Sequence, residues 1–295
     1  MRIFVTGATG FIGSAVVAEL IRAGHQVEGL ARSDSSAEAV ARAGAQVHLG
    51  SLDDPDTLSR AAEKSDGVIH LAYHHDFDDF GKGAEMDRQA IEVLGDTLAG
   101  SDRPLVVAGG ILWLSPGRTL TEAHAAPPDL PRFSEGATLA FAGRGVRAVA
   151  LRLPPSVHGE GDHGFVPRLI EVARETGVSA YPGDGANRWP AVHRLDAARA
   201  FRLAVESAPA GSVLHATDDN GVPVRAIADT IGARLRLPVK SVEPDAAYGH
   251  FGWIGPLFSV DAPATSTATR RLLGWQPTQA GLLDDLNAGH YFTAA

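Results

Sequence analysis

Residues 6–13 read Thr6-Gly7-Ala8-Thr9-Gly10-Phe11-Ile12-Gly13 and lie between two short apolar segments. The first segment, 3–5, predicts a β-strand, and the second, 15–21, predicts an α-helix. A strand, a glycine-rich turn and a helix in this order form a site for phosphate. The reason is that the free backbone N–H groups and the positive dipole end of the helix face the anion.

The spacing of the glycines is that of a dinucleotide-binding turn. Gly7 permits a tight turn, Gly10 lets the backbone approach a pyrophosphate, and Gly13 lets the helix pack closely on the strand. Glycine triplets also occur in turns that bind nothing, but this one has the strand–turn–helix context that binding requires. The residues expected to contact a dinucleotide here are Gly7, Thr9, Gly10, Phe11, Ile12 and Gly13.

Strand and helix patterns alternate beyond this turn. Further strands are predicted at 26–30, 46–49, 67–71, 104–108 and 145–151, and helices at 35–43, from 53–55, at 82–99 and at 134–144. Alternation of this kind indicates an α/β fold with a Rossmann-like, doubly wound parallel sheet, whose ligands bind at the carboxyl ends of the strands.

The alternation loosens after residue 152. Segments rich in glycine and proline, 153–164 and 181–190, separate helices predicted at 165–176 and 196–207. A strand at 213–215 and helices near 223–235, 263–273 and 279–290 complete the pattern. We therefore expect a dinucleotide-binding core over 1–152 and a small C-terminal α/β substrate lobe over 153–295, with some segments returning to the core.

The composition argues against several classes of function. The chain has 295 residues, of which 44% are hydrophobic, so it can bury a large core. Its net charge of −9 without a basic block argues against nucleic-acid binding. Cysteine is absent, which excludes disulfides, a thiolate nucleophile and cysteine metal sites. No apolar run reaches the roughly 18–20 residues needed to span a bilayer, so we expect a cytoplasmic protein that makes no membrane contact.

Other site patterns are missing or weak. The chain has no Gly-x-Ser-x-Gly elbow, and the glycine turn lacks the Gly-Lys-Ser/Thr ending of a nucleotide-hydrolysing loop. His158, Glu160, Asp162 and His163 share one loop and carry groups that bind zinc. A single loop without a second cluster at fixed spacing is a poor ligand set, so we expect no metal.

Four later segments follow the glycine turn in a familiar order. They are Val68-Ile69-His70-Leu71-Ala72, Arg152-Leu153-Pro154-Pro155-Ser156-Val157-His158-Gly159, Trp189-Pro190-Ala191-Val192-His193-Arg194-Leu195-Asp196 and Leu272-Leu273-Gly274-Trp275-Gln276-Pro277. Together with residues 6–13 they resemble the extended or atypical branch of the short-chain dehydrogenase/reductase superfamily, which includes the NAD-dependent epimerase/dehydratase-like proteins. The resemblance covers nearly the whole chain.

This resemblance implies further contacts with the cofactor and a mode of assembly. The backbone after the fourth strand would lie against the cofactor, the residues after the third strand would flank adenine, and the loop after the sixth would reach the nicotinamide. The implied contacts are Ser51, Leu52, Leu71, Ala72, Tyr73, Ala108, Gly109, Pro154 and Val157. Homodimers through the fourth and fifth helices are common in the superfamily, so a homodimer is also implied.

The end of the second strand predicts the cofactor preference. An NAD-preferring site usually places Asp or Glu there, where it accepts from the ribose and repels a 2′-phosphate. Here Arg32 offers a planar fork of donors suited to phosphate, or a surface that stacks on adenine, and Ser33 adds a hydroxyl. A solvated loop arginine is the alternative, and Asp34 could serve a ribose if the strand ended later. We expect NADP(H) to be preferred over NAD(H).

The usual proton-transfer residues of the superfamily are absent. Most members use a Tyr-x-x-x-Lys pair before the sixth strand, whose lysine lowers the pKa of the tyrosine, and a Ser or Thr after the fifth. Counting back from the sixth strand puts the pair on about Pro131 and Glu135, and the fifth strand ends in Ala108-Gly109-Gly110-Ile111. The chain must therefore use substitute residues, or bind the cofactor without using it.

Substitute proton donors should lie on loops at the carboxyl ends of the strands. Tyr73-His74-His75 follows the fourth strand, where a phenol or an imidazole could act as a general acid. His158 lies on the loop that the resemblance brings to the nicotinamide, with Asp162-His163 close behind. Tyr73 and His158 are the candidate catalytic residues, although each could equally be an ordinary loop side chain.

Substrate contacts are expected from aromatic and polar side chains on the same loops. They are His74, Trp113, His158, Phe165, Arg188 and Trp189. Arg188 follows the loop 183–187, a region that often holds substrate in the resembled branch, whereas packing is an alternative for Trp113. His193 and Asp196 stand one helical turn apart at a helix start, so a capping or orienting role is expected for Asp196.

The combined interpretation is an NADPH-dependent oxidoreductase that reduces a carbonyl-like group on a small, fairly apolar organic molecule. The predicted substrate loops hold few basic residues and several aromatic ones, which suits an uncharged substrate better than a sugar diphosphate. Two alternatives stay open because a fold does not determine a function. One is a cofactor-binding sensor without turnover, and the other is a non-redox lyase, isomerase or epimerase.

Overall fold

The structure is a computed structural model that describes residues 1–74, 80–112, 114, 116–127 and 133–293. Three positions named in the sequence analysis, His75, Trp113 and Pro131, lie outside the described residues. Within these ranges, no helix is both long and apolar enough to cross a bilayer.

A seven-stranded parallel sheet forms the centre of the fold. Its strands are β1 (Arg2–Thr6), β2 (Gln26–Ala31), β3 (Gln46–Leu49), β4 (Gly67–His70), β5 (Pro104–Gly110), β6 (Arg147–Leu153) and β10 (Ser212–His215). Their spatial order is β10-β6-β5-β4-β1-β2-β3, which reverses beside β1 and opens a crevice there. The predicted α/β fold with a doubly wound parallel sheet is confirmed.

Helices cover both faces of this sheet. On one face lie α1 (Phe11–Arg22), α2 (Asp34–Arg42) and α7 (Arg194–Ser207), and on the other lie α3 (Pro55–Glu63), α4 (Phe80–Leu98) and α5 (Ser134–Leu139). Successive side chains of a strand point to opposite faces, so Ile3 and Val5 pack into the first layer and Phe4 into the second. Burial on both faces explains why these strands read as continuous apolar runs.

Local signals in the sequence account for several helix and strand ends. The predicted start of α3 is confirmed: Asp54 Oδ1 accepts from the Thr57 N–H at 3.1 Å, and Pro55 is the first helical residue. The predicted helix at 134–144 is wrong in its second half, because α5 ends at Leu139 and a short 3₁₀ turn follows. Gly145, with φ of 71°, ends that turn, so β6 begins only at Arg147.

The remaining elements form a smaller lobe with its own apolar core. Its strands are β7 (Ser156–His158), β8 (Ser179–Pro182), β9 (Arg188–His193), β11 (Asp219–Pro223) and β12 (Val239–Val242), and its helices are α6 (Phe165–Thr176), α8 (Val224–Leu235), α9 (Ala247–Phe251), α10 (Ile254–Phe258) and α12 (Leu282–Ala288). The strands form two small sheets, β11-β9-β7 and β12-β8. They are only three to six residues long, too short for periodicity to predict them.

Chain segments cross between the large sheet and the small lobe. Strand β10 and helix α7 come from the second half of the chain but pack on the large sheet, and α11 (Thr267–Leu273) follows them. Asp196 accepts from the backbone N–H groups of Thr278 at 3.0 Å and Gln279 at 2.9 Å, which attaches the C-terminal segment to α7. His193 caps that helix instead of Asp196. The division into 1–152 and 153–295 stays a proposal.

Candidate functional site

The glycine turn leaves the start of α1 open to an anion. Gly7 has φ of 68°, a conformation that favours glycine, and its carbonyl accepts from the Gly10 N–H at 3.0 Å. Gly10 is the N-cap of α1 and provides no side-chain cap. The first backbone N–H groups of α1 therefore keep their capacity to bind a ligand oxygen.

Two of the glycines are required because the backbone of another segment lies too close to leave room for a side chain. A Cβ atom added at Gly13 would lie 1.9 Å from the carbonyl oxygen of Gly7, and one added at Gly7 would lie 2.7 Å from the backbone nitrogen of Ala72. Helix α1 thus packs directly on the turn, and the turn packs directly on the residues that follow β4. This contact produces the narrow cradle that the glycine spacing predicts.

A cleft of about 1380 Å³ runs along the carboxyl ends of the strands from β3 to β6. This exceeds the roughly 300–1,000 Å³ that one ligand usually occupies, so a dinucleotide and a second molecule can be accommodated together. The predicted cofactor contacts that line it are Gly7, Thr9, Gly10, Phe11, Ile12, Gly13, Arg32, Ser51, Leu52, Leu71, Ala72, Tyr73, Ala108, Gly109, Pro154 and Val157. Their roles as contacts stay predictions.

The far end of the cleft beside β2 carries Arg32. Its side chain is exposed and forms no hydrogen bond or ion pair with another residue that the structure describes. Ser33 is the one predicted cofactor contact that does not line the cleft, because its hydroxyl caps α2 by accepting from the Ser36 N–H at 3.3 Å. Ser36 lines the cleft in its place, and Asp34 belongs to the first turn of α2 because β2 ends at Ala31.

Tyr73 and His74 both line the cleft and are partly buried. The Tyr73 hydroxyl lies against the first turns of α4, since a Cβ atom added at Gly83 would be 3.5 Å from it. The phenol therefore stands at the wall of the cleft, just beyond the backbone of Leu71 and Ala72. Its position agrees with the predicted role as a proton donor, which remains a prediction.

His158, the other candidate donor, lies outside the cleft. Its ring is fully buried, with Nδ1 2.8 Å from Asp285 Oδ2 and its edge against the ring of His193. Burial alone would raise the pKa of Asp285, but the hydrogen bond from His158 holds that pKa below its ordinary value. Ser156 and Val157 line the cleft instead, whereas the His158 ring is buried behind them, so its role as a proton donor or substrate contact stays a prediction.

The neighbouring Asp162 and His163 line the cleft but already have partners. Asp162 accepts from the Gly164 N–H at 2.7 Å and from the Tyr291 hydroxyl at 2.9 Å, and burial raises its pKa. His163 packs edge-on against Phe11 with the ring centres 5.7 Å apart. His163 therefore lies next to the glycine turn, whereas Asp162 is held by its own loop and by Tyr291.

Arg188 and Trp189 stabilise the small lobe and do not line the cleft. The Arg188 guanidinium donates to both carboxylate oxygens of Asp261, at 3.0 and 2.9 Å. Trp189 is fully buried and packs against Phe165 and Phe258. The prediction of direct substrate contacts is not supported for these two residues, because β9 is an interior strand of its lobe. Phe165, in contrast, lines the cleft as predicted.

Several apolar residues of the cleft wall were not predicted from the sequence. They are Met86, Ile111, Leu112, Leu114, Trp253 and Leu257. Trp253 and Leu257 come from the short helices α9 and α10 and the turn between them, and the Trp253 ring packs edge-on against Phe165 at 5.7 Å. The concentration of aromatic residues in 248–258 was the available signal, but helices of five residues show too little periodicity to reveal which side faces a ligand.

A buried hydrogen-bond network fixes the backbone beside the glycine turn. Thr6 Oγ1 accepts from the N–H groups of residues 71 and 72, both at 3.2 Å, and its hydroxyl donates to His70 Nδ1 at 2.7 Å. His70 Nε2 donates to Asp87, which also accepts from the Ser134 hydroxyl. The network joins β1, β4, α4 and α5, so the backbone that faces the cleft is held rigidly.

A second buried network lies at the carboxyl ends of β5 and β6. Arg152 is fully buried and donates to Glu135 from Nε at 2.6 Å and from Nη2 at 2.7 Å. Its Nη1 donates to His215 Nε2 at 3.1 Å, while His215 Nδ1 donates to the Thr265 carbonyl at 2.7 Å. Burial lowers the pKa of His215 to about 4, so this histidine is neutral near pH 7 and accepts from Arg152.

Acid should weaken the fold through His215. The unfolded chain binds a proton at this residue below about pH 6.5, whereas the folded chain binds it only below about pH 4. The contribution of neutral His215 to the free energy of unfolding is therefore fully present above pH 6.5. It is lost as the pH falls toward 4, and the loss amounts to about 3 kcal/mol. Urea unfolding at pH 7 and pH 4.5 should show a shallower pH dependence for His215→Gln than for the wild type. If the free energy of unfolding depended equally on pH in both proteins, His215 would not be the group that titrates.

The chain resembles proteins of known family. Residues 3–89 match the model of the NAD dependent epimerase/dehydratase family. An uncharacterised protein of Schizosaccharomyces pombe is 49% identical over 295 residues, which cover 99% of this chain and 100% of that protein. The 4-hydroxy-2-methyl-3-oxo-4-farnesyl-3,4-dihydroquinoline-1-oxide ketoreductase of Stigmatella aurantiaca is 27% identical over 301 residues, 94% of this chain and 88% of its own.

Solved structures share the fold. The crystal structure of dTDP-glucose 4,6-dehydratase from Streptomyces venezuelae, with NAD bound, superimposes with a TM-score of 0.79. It is 20% identical in sequence, and the match covers 98% of this chain and 96% of that one. At this identity the likeness establishes the fold alone.

Proposed function

The chain belongs to the NAD-dependent epimerase/dehydratase family of the short-chain dehydrogenase/reductase superfamily, and on that premise we propose that it is an NADPH-dependent oxidoreductase. It reduces a carbonyl-like group on a small, fairly apolar organic substrate. The observation that carries the proposal is a continuous long cleft, with the glycine turn and Arg32 toward one end and an apolar wall at the other.

The residues of the cleft fit a dinucleotide. The close packing of Gly13 on Gly7 sets the N-terminus of α1 against the glycine turn, and the uncapped N–H groups there can bind a pyrophosphate. Ser156 lines the opposite part of the cleft, is 2% exposed, and its hydroxyl has no hydrogen-bond partner among the described residues. A buried hydroxyl without a partner supports the presence of a polar ligand group at this point.

Arg32 and Ser36 would hold a 2′-phosphate at the adenosine end. None of the described residues that line this end carries a carboxylate; they are Leu30, Arg32, Ser36, Gly50, Ser51 and Leu52. A carboxylate would bind the ribose hydroxyls of NAD and repel the extra phosphate of NADP. The guanidinium of Arg32 supports the opposite preference, since it matches the geometry of phosphate.

The cofactor, when bound, supplies a hydride to the carbonyl carbon while the carbonyl oxygen gains one proton, so that ketone and NADPH become alcohol and NADP⁺. Tyr73 is the proposed source of the proton. It lines the cleft directly after the backbone that faces the cofactor, whereas His158 is buried below and His163 lies beside Phe11. Solvent would then return a proton to the phenol.

The substrate end of the cleft suits an uncharged molecule. Its lining includes the apolar side chains of Leu112, Leu114, Phe165 and Trp253. The basic side chain described at this end, Arg168, pairs with carboxylates of its own helix, one of them Glu171 at 3.2 Å. A sugar diphosphate would require unpaired cations. The Stigmatella aurantiaca relative is named as a ketoreductase, which agrees with a ketone substrate.

Changing Arg32 to Asp should reverse the cofactor preference. The substitution removes the proposed phosphate ligand and places a carboxylate where it repels a 2′-phosphate and accepts from a ribose. We expect NADPH affinity to fall by about 100-fold, while NADH affinity is kept or improved. Fluorescence titration with both cofactors measures this. Arg118→Asp, the same charge change at an exposed position outside the cleft, should leave both affinities unchanged.

A wild-type protein that binds NADH as tightly as NADPH would refute the preference. Turnover is tested separately with a panel of ketones, aldehydes and imines, by following the oxidation of NADPH. Tight NADPH binding without oxidation of any panel member would favour a cofactor-binding sensor. Conversion of a substrate without net change in nicotinamide absorbance would favour a lyase, isomerase or epimerase. A homodimer through α4 and α5 and a cytoplasmic location stay predictions.

A further inference from the structure

Glu135 places a charged group in the apolar part of the cleft. It lies on α5, and its side chain, 11% exposed, lines the cleft over the ends of β5 and β6. The described residues that line this region from 108–114 and 153–157 carry no charge; they are Ala108, Gly109, Gly110, Ile111, Leu112, Leu114, Leu153, Pro154, Pro155, Ser156 and Val157. A carboxylate in such a wall is costly unless donors surround it.

Arg152 supplies donors from one side only. Its fork binds both carboxylate oxygens of Glu135, and its other N–H groups donate to His215 and to the His124 carbonyl. The guanidinium is buried and anchored at several points, so it holds the carboxylate in one orientation. A carboxylate offers about four lone-pair sites, of which Arg152 uses two. The remaining sites are available to a ligand in the cleft.

The order of the strands indicates which part of a dinucleotide lies near Glu135. The glycine turn follows β1, and Arg32 follows β2, so the adenosine half extends from β1 toward β3. The other nucleoside must extend the opposite way, over β4, β5 and β6. Strands lie about 4.8 Å apart, which puts β5 about 10 Å from β1. Glu135 therefore lies beside the nicotinamide half.

We propose that Glu135 binds the hydroxyl groups of the nicotinamide ribose and so positions the nicotinamide, with Arg152 holding the carboxylate in place. The inference rests on the proposed use of NADP(H). Two neighbouring hydroxyls are donors that a carboxylate accepts well, as acidic residues do for the adenosine ribose in NAD sites.

The test compares the whole cofactor with its adenosine half. Wild type, Glu135→Gln and Glu135→Asp are titrated with NADP⁺ and with adenosine 2′,5′-bisphosphate, which lacks the nicotinamide ribose. Loss of hydrogen bonds to a charged acceptor should weaken NADP⁺ binding by about 10- to 100-fold in Glu135→Gln. The bisphosphate should bind all three proteins equally. Glu135→Asp keeps the charge but withdraws it from the cleft, so its loss for NADP⁺ should be intermediate.

Glu63→Gln is the matched control. It makes the same change from carboxylate to amide at an exposed position outside the cleft, so the affinities for both nucleotides should stay at the wild-type values. If Glu135→Gln fails to fold, as judged by circular dichroism, Glu135→Asp decides the question.

Three results would overturn the inference while leaving the proposed cofactor site intact. They are wild-type NADP⁺ affinity in both Glu135 variants, equal losses for NADP⁺ and the bisphosphate, and an effect confined to the KM of the carbonyl substrate. Failure of the wild-type protein to bind either nucleotide would instead remove the proposed cofactor site, and this inference with it.

Discussion

Replacing Tyr73 with Phe is expected to lower the kcat of NADPH-dependent carbonyl reduction by about 10²- to 10⁴-fold, the usual contribution of a positioned proton donor. The phenol lines the cleft beside the backbone of Leu71 and Ala72, and the substitution removes its proton without changing the ring that fills the wall. Because the hydroxyl acts on the developing alkoxide and not on the bound cofactor, the affinity for NADPH should change little.

A second tyrosine provides the control for this variant. Tyr248 is 66% exposed and lies outside the cleft, so Tyr248→Phe removes the same hydroxyl where no substrate can reach it. Steady-state kinetics on the best substrate of the carbonyl panel should therefore separate the two. If Tyr73→Phe kept kcat within about twofold of the wild type, Tyr73 would lose its proposed role, and His74 or an ordered water would be the next donor to test.

Replacing Gly13 with Ala is expected to reduce NADPH affinity by at least about 100-fold, since two or more charge-assisted hydrogen bonds to the pyrophosphate would be lost. The added Cβ would overlap the carbonyl oxygen of Gly7 at 1.9 Å, so α1 must move away from the turn. Its first N–H groups would then leave the position where they face the anion. The same displacement should destabilise the fold by about 1–3 kcal/mol, as overpacking does.

Gly143→Ala is the matched substitution for this experiment. Gly143 is exposed, and a Cβ added there meets no atom within 4 Å, so binding and stability should both stay at the wild-type level. Urea unfolding confirms that Gly13→Ala remains folded under the conditions of the NADPH titration. Wild-type affinity in a folded Gly13→Ala protein would mean that the turn does not hold the cofactor.

Local patterns were sufficient for the architecture of the core. The glycine spacing at 7, 10 and 13 and the alternating apolar segments predict the parallel sheet and its crevice, because both depend on residues adjacent in the chain. Helix starts with a strong cap, such as the one at Asp54, were predicted for the same reason. Prediction weakened where glycine conformation ended an element, as at Gly145, and in the lobe whose strands have three to six residues.

The functional side chains depended on contacts that the sequence does not display. His158 and Val157 are neighbours in the chain, yet Val157 lines the cleft while His158 binds Asp285, 127 residues away. Arg188 and Trp189 follow a loop that resembles a substrate loop, but their partners, Asp261 and Phe258, draw them into the small lobe. A motif specifies which residues are present, whereas only packing specifies which way each side chain points.

By itself, the sequence determined the family, the sheet and the location of the glycine turn, since these follow from the short-range order of glycines and apolar residues. The tertiary structure alone decided which titratable groups reach the cleft. It brought Glu135 to Arg152 across 17 residues and Arg152 to His215 across 63. The physical reason is that partners of buried charges are chosen by three-dimensional proximity, and distances of this kind are set only when all the strands and helices have packed together.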